Sequence, residues 1–193
     1  MNKSFVNKLP ILIFSIILFF IFYESQDNFL KGKLSSNDTL LLKYEEFKKG
    51  GIEKEISLSN ELIQAVIDTA ESFIGTPNRI GGITQDSIDA SGLIYVSLKK
   101  NGVTKFPRIA QDMARYGEII TKAENLEKGD LVFYFDTYKT ERLITSVGIY
   151  LGDNKFISST SKKGVSIDKI DNPSFKENYW INHFFYGTRI FKN

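Results

Sequence analysis

The side chains best placed for chemistry gather at Asp89-Ala90-Ser91-Gly92-Leu93, where a carboxylate and a hydroxyl sit two residues apart at the start of an apolar helical run. A serine attacks a carbonyl only with a base within reach, and the single imidazole of the chain is His183, in Tyr179-Trp180-Ile181-Asn182-His183. There is no cysteine. That excludes a thiolate nucleophile, thiolate metal sites, a disulfide framework and lipid attachment through a lipoprotein cysteine. One histidine also excludes a His-rich zinc site, and no metal or cofactor is implied. Ser158-Ser159-Thr160-Ser161 offers hydroxyls to a phosphate or sugar, and Tyr179-Trp180 offers aromatic faces to a sugar. A strand end entering a turn and ordinary packing account for these two features more simply.

Several elements must position these residues. Leu62, Ile63, Val66, Ile67, Ala70, Phe73 and Ile74 fall on one helical face, with a helix start over Ser57 to Asn60 and a stop at Gly75-Thr76-Pro77. A polar loop runs from Asn78 to Ile88. Asp89 then reads as the N-cap of a helix from Ala90 to Lys100, ended by Asn101-Gly102. A short helix is expected at Gln111 to Arg115. From Asp130 the period changes to that of strands: Leu131 to Phe135, Ser146 to Leu151, Lys155 to Ser159, Gly164 to Ile167 and Phe184 to Ile190. Helices followed by an antiparallel sheet predict an α+β fold.

The 193 residues, 42% hydrophobic and 25% charged, suit one folded domain with an appendage. The net charge is +2, with both signs interleaved, which argues against a nucleic-acid partner. Residues 1–23 read as a membrane anchor or signal segment. Lys3 and Lys8 precede an uncharged run from Leu9 to Tyr23, about 22 Å long as a helix. The run ends Phe22-Tyr23-Glu24-Ser25, without the small residues of a cleavage site, so an uncleaved anchor is favoured over export after cleavage. The basic residues ahead of it leave the remainder outside the cytoplasm. Residues 24–57 read as a polar stalk with a short helix. Leu40, Tyr44 and Phe47 share one face of that helix between caps at Asn37 or Asp38 and Gly50-Gly51, and packing on the domain is its expected use. Residues 58–193 form the domain.

Six segments, in order, resemble the NlpC-type family of bacterial cell-wall cysteine peptidases. They are Gly75-Thr76-Pro77 with Gly81-Gly82; Asp89-Ala90-Ser91-Gly92-Leu93-Ile94; Phe106-Pro107-Arg108; Gly129-Asp130-Leu131-Val132-Phe133; Ser146-Val147-Gly148-Ile149-Tyr150-Leu151-Gly152; and Phe156-Ile157-Ser158. The resemblance implies a papain-like fold with N-terminal helices packed on an antiparallel sheet. It also implies a nucleophilic cysteine where this chain has Ala90, a general-base histidine at Ser146 and an orienting histidine at Ser158. None of these side chains gains or loses a proton near neutral pH. The family's tyrosine after Gly-x-Pro is Asn78 here. Asp89 and Ser91, which in the family help hold a substrate's amino end, are candidate peptide-binding groups together with Asn78 and Arg108.

Two readings follow from the resemblance. The first is a membrane-tethered pseudoenzyme with no catalytic activity. It would bind cell-wall stem peptides or serve as a structural or regulatory subunit among other cell-envelope proteins, at the bacterial inner membrane with its domain in the periplasm or otherwise outside the cytoplasm. The alternative is an active peptidoglycan endopeptidase whose cysteine was engineered to Ala90, or whose nucleophile is non-standard, with Ser91 the nearest hydroxyl.

Overall fold

The computed structural model describes residues 9–171 and 178–192, and Lys3 and Lys8 lie outside the described residues. The chain divides into two compact units that meet between Leu41 and Leu42.

The first unit is dominated by helix α1 (Leu9–Leu34). The helix does not stop where the apolar run ends but continues through Glu24, Gln26 and Asp27. An Asp27–Lys31 pair at 3.0 Å, one turn apart, supports that continuation, and Lys31 and Lys33 in the last turn suit the negative end of the helix dipole. Within it, Ile13–Leu34 is long and apolar enough to cross a membrane by length and composition. Helix α2 (Asp38–Lys49) follows, with the Leu40 amide donating to the Asn37 side chain at 3.2 Å.

The second unit holds the sheet. Tyr44 and Phe47, on the part of α2 that belongs to this unit, pack inward. The Tyr44 ring meets Phe185 edge-on at 5.8 Å, and the Arg115 guanidinium lies 4.3 Å from the centre of the Phe47 ring. Packing on the domain is therefore the use this face has. The expected helix start over Ser57 to Asn60 is corrected: Leu58–Ser59 forms a short strand β1, and helix α3 (Leu62–Glu71) begins after it. Two residues of strand carry no readable period, whereas a Ser-rich segment ahead of an apolar face resembles a cap. Helix α4 (Ala90–Lys100) has the predicted bounds, and the short helix α5 (Ala110–Met113) lies within two residues of its expected place.

Strands β2 (Glu118–Ile120), β3 (Leu131–Phe135), β4 (Ile144–Gly152), β5 (Lys155–Thr160) and β6 (Gly164–Lys169) come next, followed by helix α6 (Tyr179–His183) and strands β7 (Phe184–Arg189) and β8 (Phe191–Lys192). Six strands form one antiparallel sheet in the order β2-β7-β3-β4-β5-β6, while β1 pairs parallel with β8. Alternate residues of β3 and β4 serve opposite faces. Phe133, Val147, Ile149 and Ile157 are fully buried, as are Leu93 and Ile94 of α4, which packs on β4 and β5. On the opposite face Val132, Tyr134, Tyr150, Phe156, Ile170 and Phe184 form a second cluster, with Trp180 and Ile181 of α6 laid against it. Both faces are covered, which is why β3 reads as five consecutive apolar residues without alternation.

Candidate functional site

Helix α4 begins because Asp89 is extended (φ −88°, ψ 171°) and its carboxylate accepts the Gly92 amide at 2.6 Å. Gly92 itself is dictated by space: a Cβ there would collide with the Gly82 carbonyl oxygen. The loop ahead of the helix is thereby held against its first turn.

Asp89 collects five donors. Its Oδ1 accepts from the Gly92 amide, from Ser91 Oγ at 3.1 Å and from Arg108 Nη1 at 3.0 Å. Its Oδ2 accepts from the Gly81 amide at 2.6 Å and from Arg108 Nη2 at 2.9 Å. Arg108 also donates to Ser91 Oγ at 2.8 Å and to the Gly82 carbonyl at 3.1 Å. Burial by itself would push the Asp89 carboxyl up. The hydrogen bonds from Arg108 and the two glycine amides, with the Arg108 charge, outweigh it and hold the group below the usual carboxylate range. Three of the expected site residues, Asp89, Ser91 and Arg108, thus form one bonded cluster, and Arg108 arrives from 19 positions downstream of Asp89.

The other named positions lie in the first turn of α4, in the loop ahead of it and on strands β4 and β5, where Ser146 and Ser158 alternate with the residues that face α4. Ala90 is half-buried in the first turn of α4. Ser146 is buried on β4 opposite Tyr134 of β3. Ser158 is completely buried on β5, where its hydroxyl donates to the Val147 carbonyl at 2.7 Å. Asn78 is bonded internally: its amide donates to Ser159 Oγ at 2.9 Å and to the Ser159 carbonyl at 3.3 Å. Ser159 in turn donates to the Ile88 carbonyl at 2.7 Å, just ahead of α4. Sequence reasoning missed Ser159 as the residue joining β5 to the α4 loop. Strand alternation was the available signal, since Ser158 and Ser159 must serve opposite faces. His183 ends α6 with its ring stacked on Tyr179 at 4.2 Å and Nδ1 2.7 Å from the Tyr179 carbonyl oxygen. The register Phe184–Tyr134–Ser146 across β7, β3 and β4 puts Phe184, which follows His183, about 10 Å from Ser146, two strand spacings away.

Among the described residues no group of three or more His, Cys, Asp or Glu side chains is arranged to hold a metal ion. A cavity of about 290 Å³ lined by Asn60, Glu118, Glu127, Asp130, Arg189 and Lys192 lies apart from the α4 cluster. Its charges are mutually satisfied, with Arg189 bonded to Asp130 and Glu127, each at 2.9 Å.

The model of the NlpC/P60 family matches residues 75–183, spanning the α4 start and the strands just described. The chain is 36% identical over 125 residues to an Escherichia coli protein named "Probable endopeptidase NlpC", covering 65% of this chain and 79% of that one. It is 34% identical over 130 residues to the Bacillus licheniformis "Peptidoglycan DL-endopeptidase CwlO", covering 63% of this chain but 28% of that protein. Among solved structures, a Staphylococcus aureus protein described as similar to lipoprotein, of the NLP/P60 family, superposes with a TM-score of 0.58 at 29% identity, over 71% of this chain and 44% of that one. The chain therefore spans less than half of the latter two. These findings correct one expectation. The non-enzyme reading rested on three side chains alone, whereas the relatives carry the names of endopeptidases, and that reading is withdrawn.

Proposed function

Since the chain belongs to the NlpC/P60 family, we propose that it acts on the stem peptides of peptidoglycan, taking them at the start of α4. The observation that carries this is the half-buried Asp89–Ser91–Arg108 cluster, which sets a carboxylate, a hydroxyl and a guanidinium in the first turn of a helix beside a loop of exposed backbone. Such groups recognise amides and carboxylates of an extended peptide. Ser91 is the hydroxyl nearest to residue 90, and Arg108 already donates to its oxygen.

The same reading sets the domain in the bacterial envelope, outside the cytoplasm, held to the membrane by α1. Phe14, Phe20 and Ile21 of that helix are exposed, which costs least in contact with lipid, and the basic residues precede it in sequence.

The test uses the full chain in detergent with purified sacculi. Sedimentation with the sacculi, displacement by a soluble stem tetrapeptide and weakening by Arg108→Ala are expected, and mass spectrometry of the supernatant reads any peptide released. Loss of release in Ser91→Ala with sedimentation on sacculi retained would identify that serine as the attacking group, whereas loss of both would mark it as a binding group. A chain that neither sediments with sacculi nor releases fragments overturns the proposal.

A further inference from the structure

We propose that the exposed rings of Tyr179 and Tyr138, with the carboxylate of Asp136 beside them, form a second site that takes the glycan strand of peptidoglycan, a polymer of β-1,4-linked N-acetylated amino sugars. It rests on the reading that the chain works on peptidoglycan, and it uses none of the groups at the start of α4.

Tyr179 and Trp180 are neighbours with different uses. Trp180 lies against Tyr134 and Phe156, at 4.7 and 5.1 Å, whereas Tyr179 is 38% exposed. The Tyr179 ring is nevertheless held firmly. His183 lies along it with centroids 4.2 Å apart and planes at 28°, Trp180 meets it at 5.2 Å and 82°, and its hydroxyl donates to the Thr137 carbonyl at 3.5 Å. Tyr138, next to that carbonyl in the loop between β3 and β4, is 49% exposed. Rings fixed in water offer apolar area to the C–H face of a sugar and lose little side-chain freedom on covering it.

A sugar also needs acceptors for its hydroxyls and acetamido N–H groups. Asp136 is exposed, adopts a left-handed conformation (φ 53°) and accepts no hydrogen bond among the described residues. Burial, and after it the Asp136 charge, push the Tyr179 phenol above its ordinary value, so the carboxylate stands within electrostatic reach of the ring. The loop that carries Asp136 and Tyr138 is fixed along its length. The Thr137 amide and hydroxyl donate to Thr145 Oγ1 at 3.0 and 2.8 Å, the Lys43 ammonium donates to the Thr140 carbonyl at 2.5 Å, and the Leu143 amide donates to the Gln111 side chain at 2.8 Å. Exposed Lys139 and Arg142 on the same loop disfavour a cationic ligand on these rings. Gln111 belongs to the segment that carries Arg108, and Thr145 precedes Ser146 on β4, so this loop is joined directly to the elements around the stem-peptide site. A stem peptide is bonded to its glycan, and a substrate engaged at one place brings the other close.

Calorimetric titration of the full chain with a β-1,4-linked tetramer of N-acetylglucosamine, in a detergent without sugar headgroups, tests this. The emission of Trp180, the only tryptophan and a ring partner of Tyr179, is followed in parallel. Saturable binding that changes this emission is expected. Tyr179→Ala, Tyr138→Ala and Asp136→Ala should each weaken it by about fivefold or more, and Tyr179→Phe should retain it. Tyr138 makes no ring contact or hydrogen bond among the described residues, so Tyr138→Ala decides if Tyr179→Ala does not fold. No binding, binding that leaves the emission unchanged, choline bound in preference to the tetramer, or an unaltered affinity in Tyr138→Ala overturns the proposal. Binding of a soluble stem tetrapeptide should be the same in Tyr138→Ala as in the wild-type chain. Failure of the tetramer with stem-peptide binding intact overturns only the glycan site, whereas failure of tetramer, stem peptide and sacculi alike overturns the underlying reading too.

Discussion

Asp89 carries two loads at once, capping α4 and anchoring Arg108, and the second depends on its charge. Removing it as Asp89→Ala should cost about 2 kcal/mol, the upper range for a lost cap, because Arg108 also loses its partner. Urea unfolding of the variant against the wild-type chain measures this. The folded group titrates below its unfolded value of about 3.9, so its contribution is complete above that pH and is lost as pH falls through the lowered folded value. The stability gap between wild type and Asp89→Asn should therefore be constant near neutrality and close in acid. Two other positions are governed by space. Gly92→Ala drives a methyl into the Gly82 carbonyl, and Ser158→His forces an imidazole into a fully buried site whose hydroxyl serves the Val147 carbonyl. Each should destabilise by about 1–3 kcal/mol by overpacking, read as a lowered melting temperature. The types at Asp89 and Gly92 were legible as a cap and a tight turn. The partnership with Arg108 was not, because only the fold closes a loop of that length.

At the scale of elements, the long and periodic ones were readable and the short ones were not. Helix α4 and strand β3 have the bounds their sequence predicts, since a cap, a stop and a strong period all agree. Strands β1, β2 and β8 escaped, being two or three residues each and existing only through pairing with partners distant in the chain. Helix α6 has five residues and does its work through Trp180, whose ring lies 4.7 Å from Tyr134 and 5.1 Å from Phe156. Trp180→Ala should cost about 2 kcal/mol, less than a fully buried tryptophan, because the ring is half-exposed. Trp180 is also the only tryptophan, so its emission should shift to the red in step with the loss of far-ultraviolet circular dichroism on unfolding. An earlier fluorescence transition would mean that α6 detaches before the sheet melts.

For the molecule as a whole, the unit from Leu42 onward has both faces of its sheet covered by its own residues. A chain of residues 42–193 should fold without detergent and melt cooperatively, as calorimetry would record, and a broad non-cooperative melt would contradict this. The sequence by itself determined the α+β class, the apolar N-terminal segment, the absence of thiol chemistry and the six ordered segments of the NlpC/P60 family. These follow from local period, composition and short-range spacing, which survive without coordinates. It could not determine how the polar side chains are used. Asn78 reads as a group facing a substrate but is bonded to Ser159, and Asp89 and Arg108 read as separate peptide-binding groups but are bonded to each other. A hydrogen-bonding group is claimed by whichever partner the fold brings nearest, and those partners come from 81 and 19 positions away. Only tertiary structure decides such pairings, because desolvation on folding forces each polar atom to find a partner across the chain.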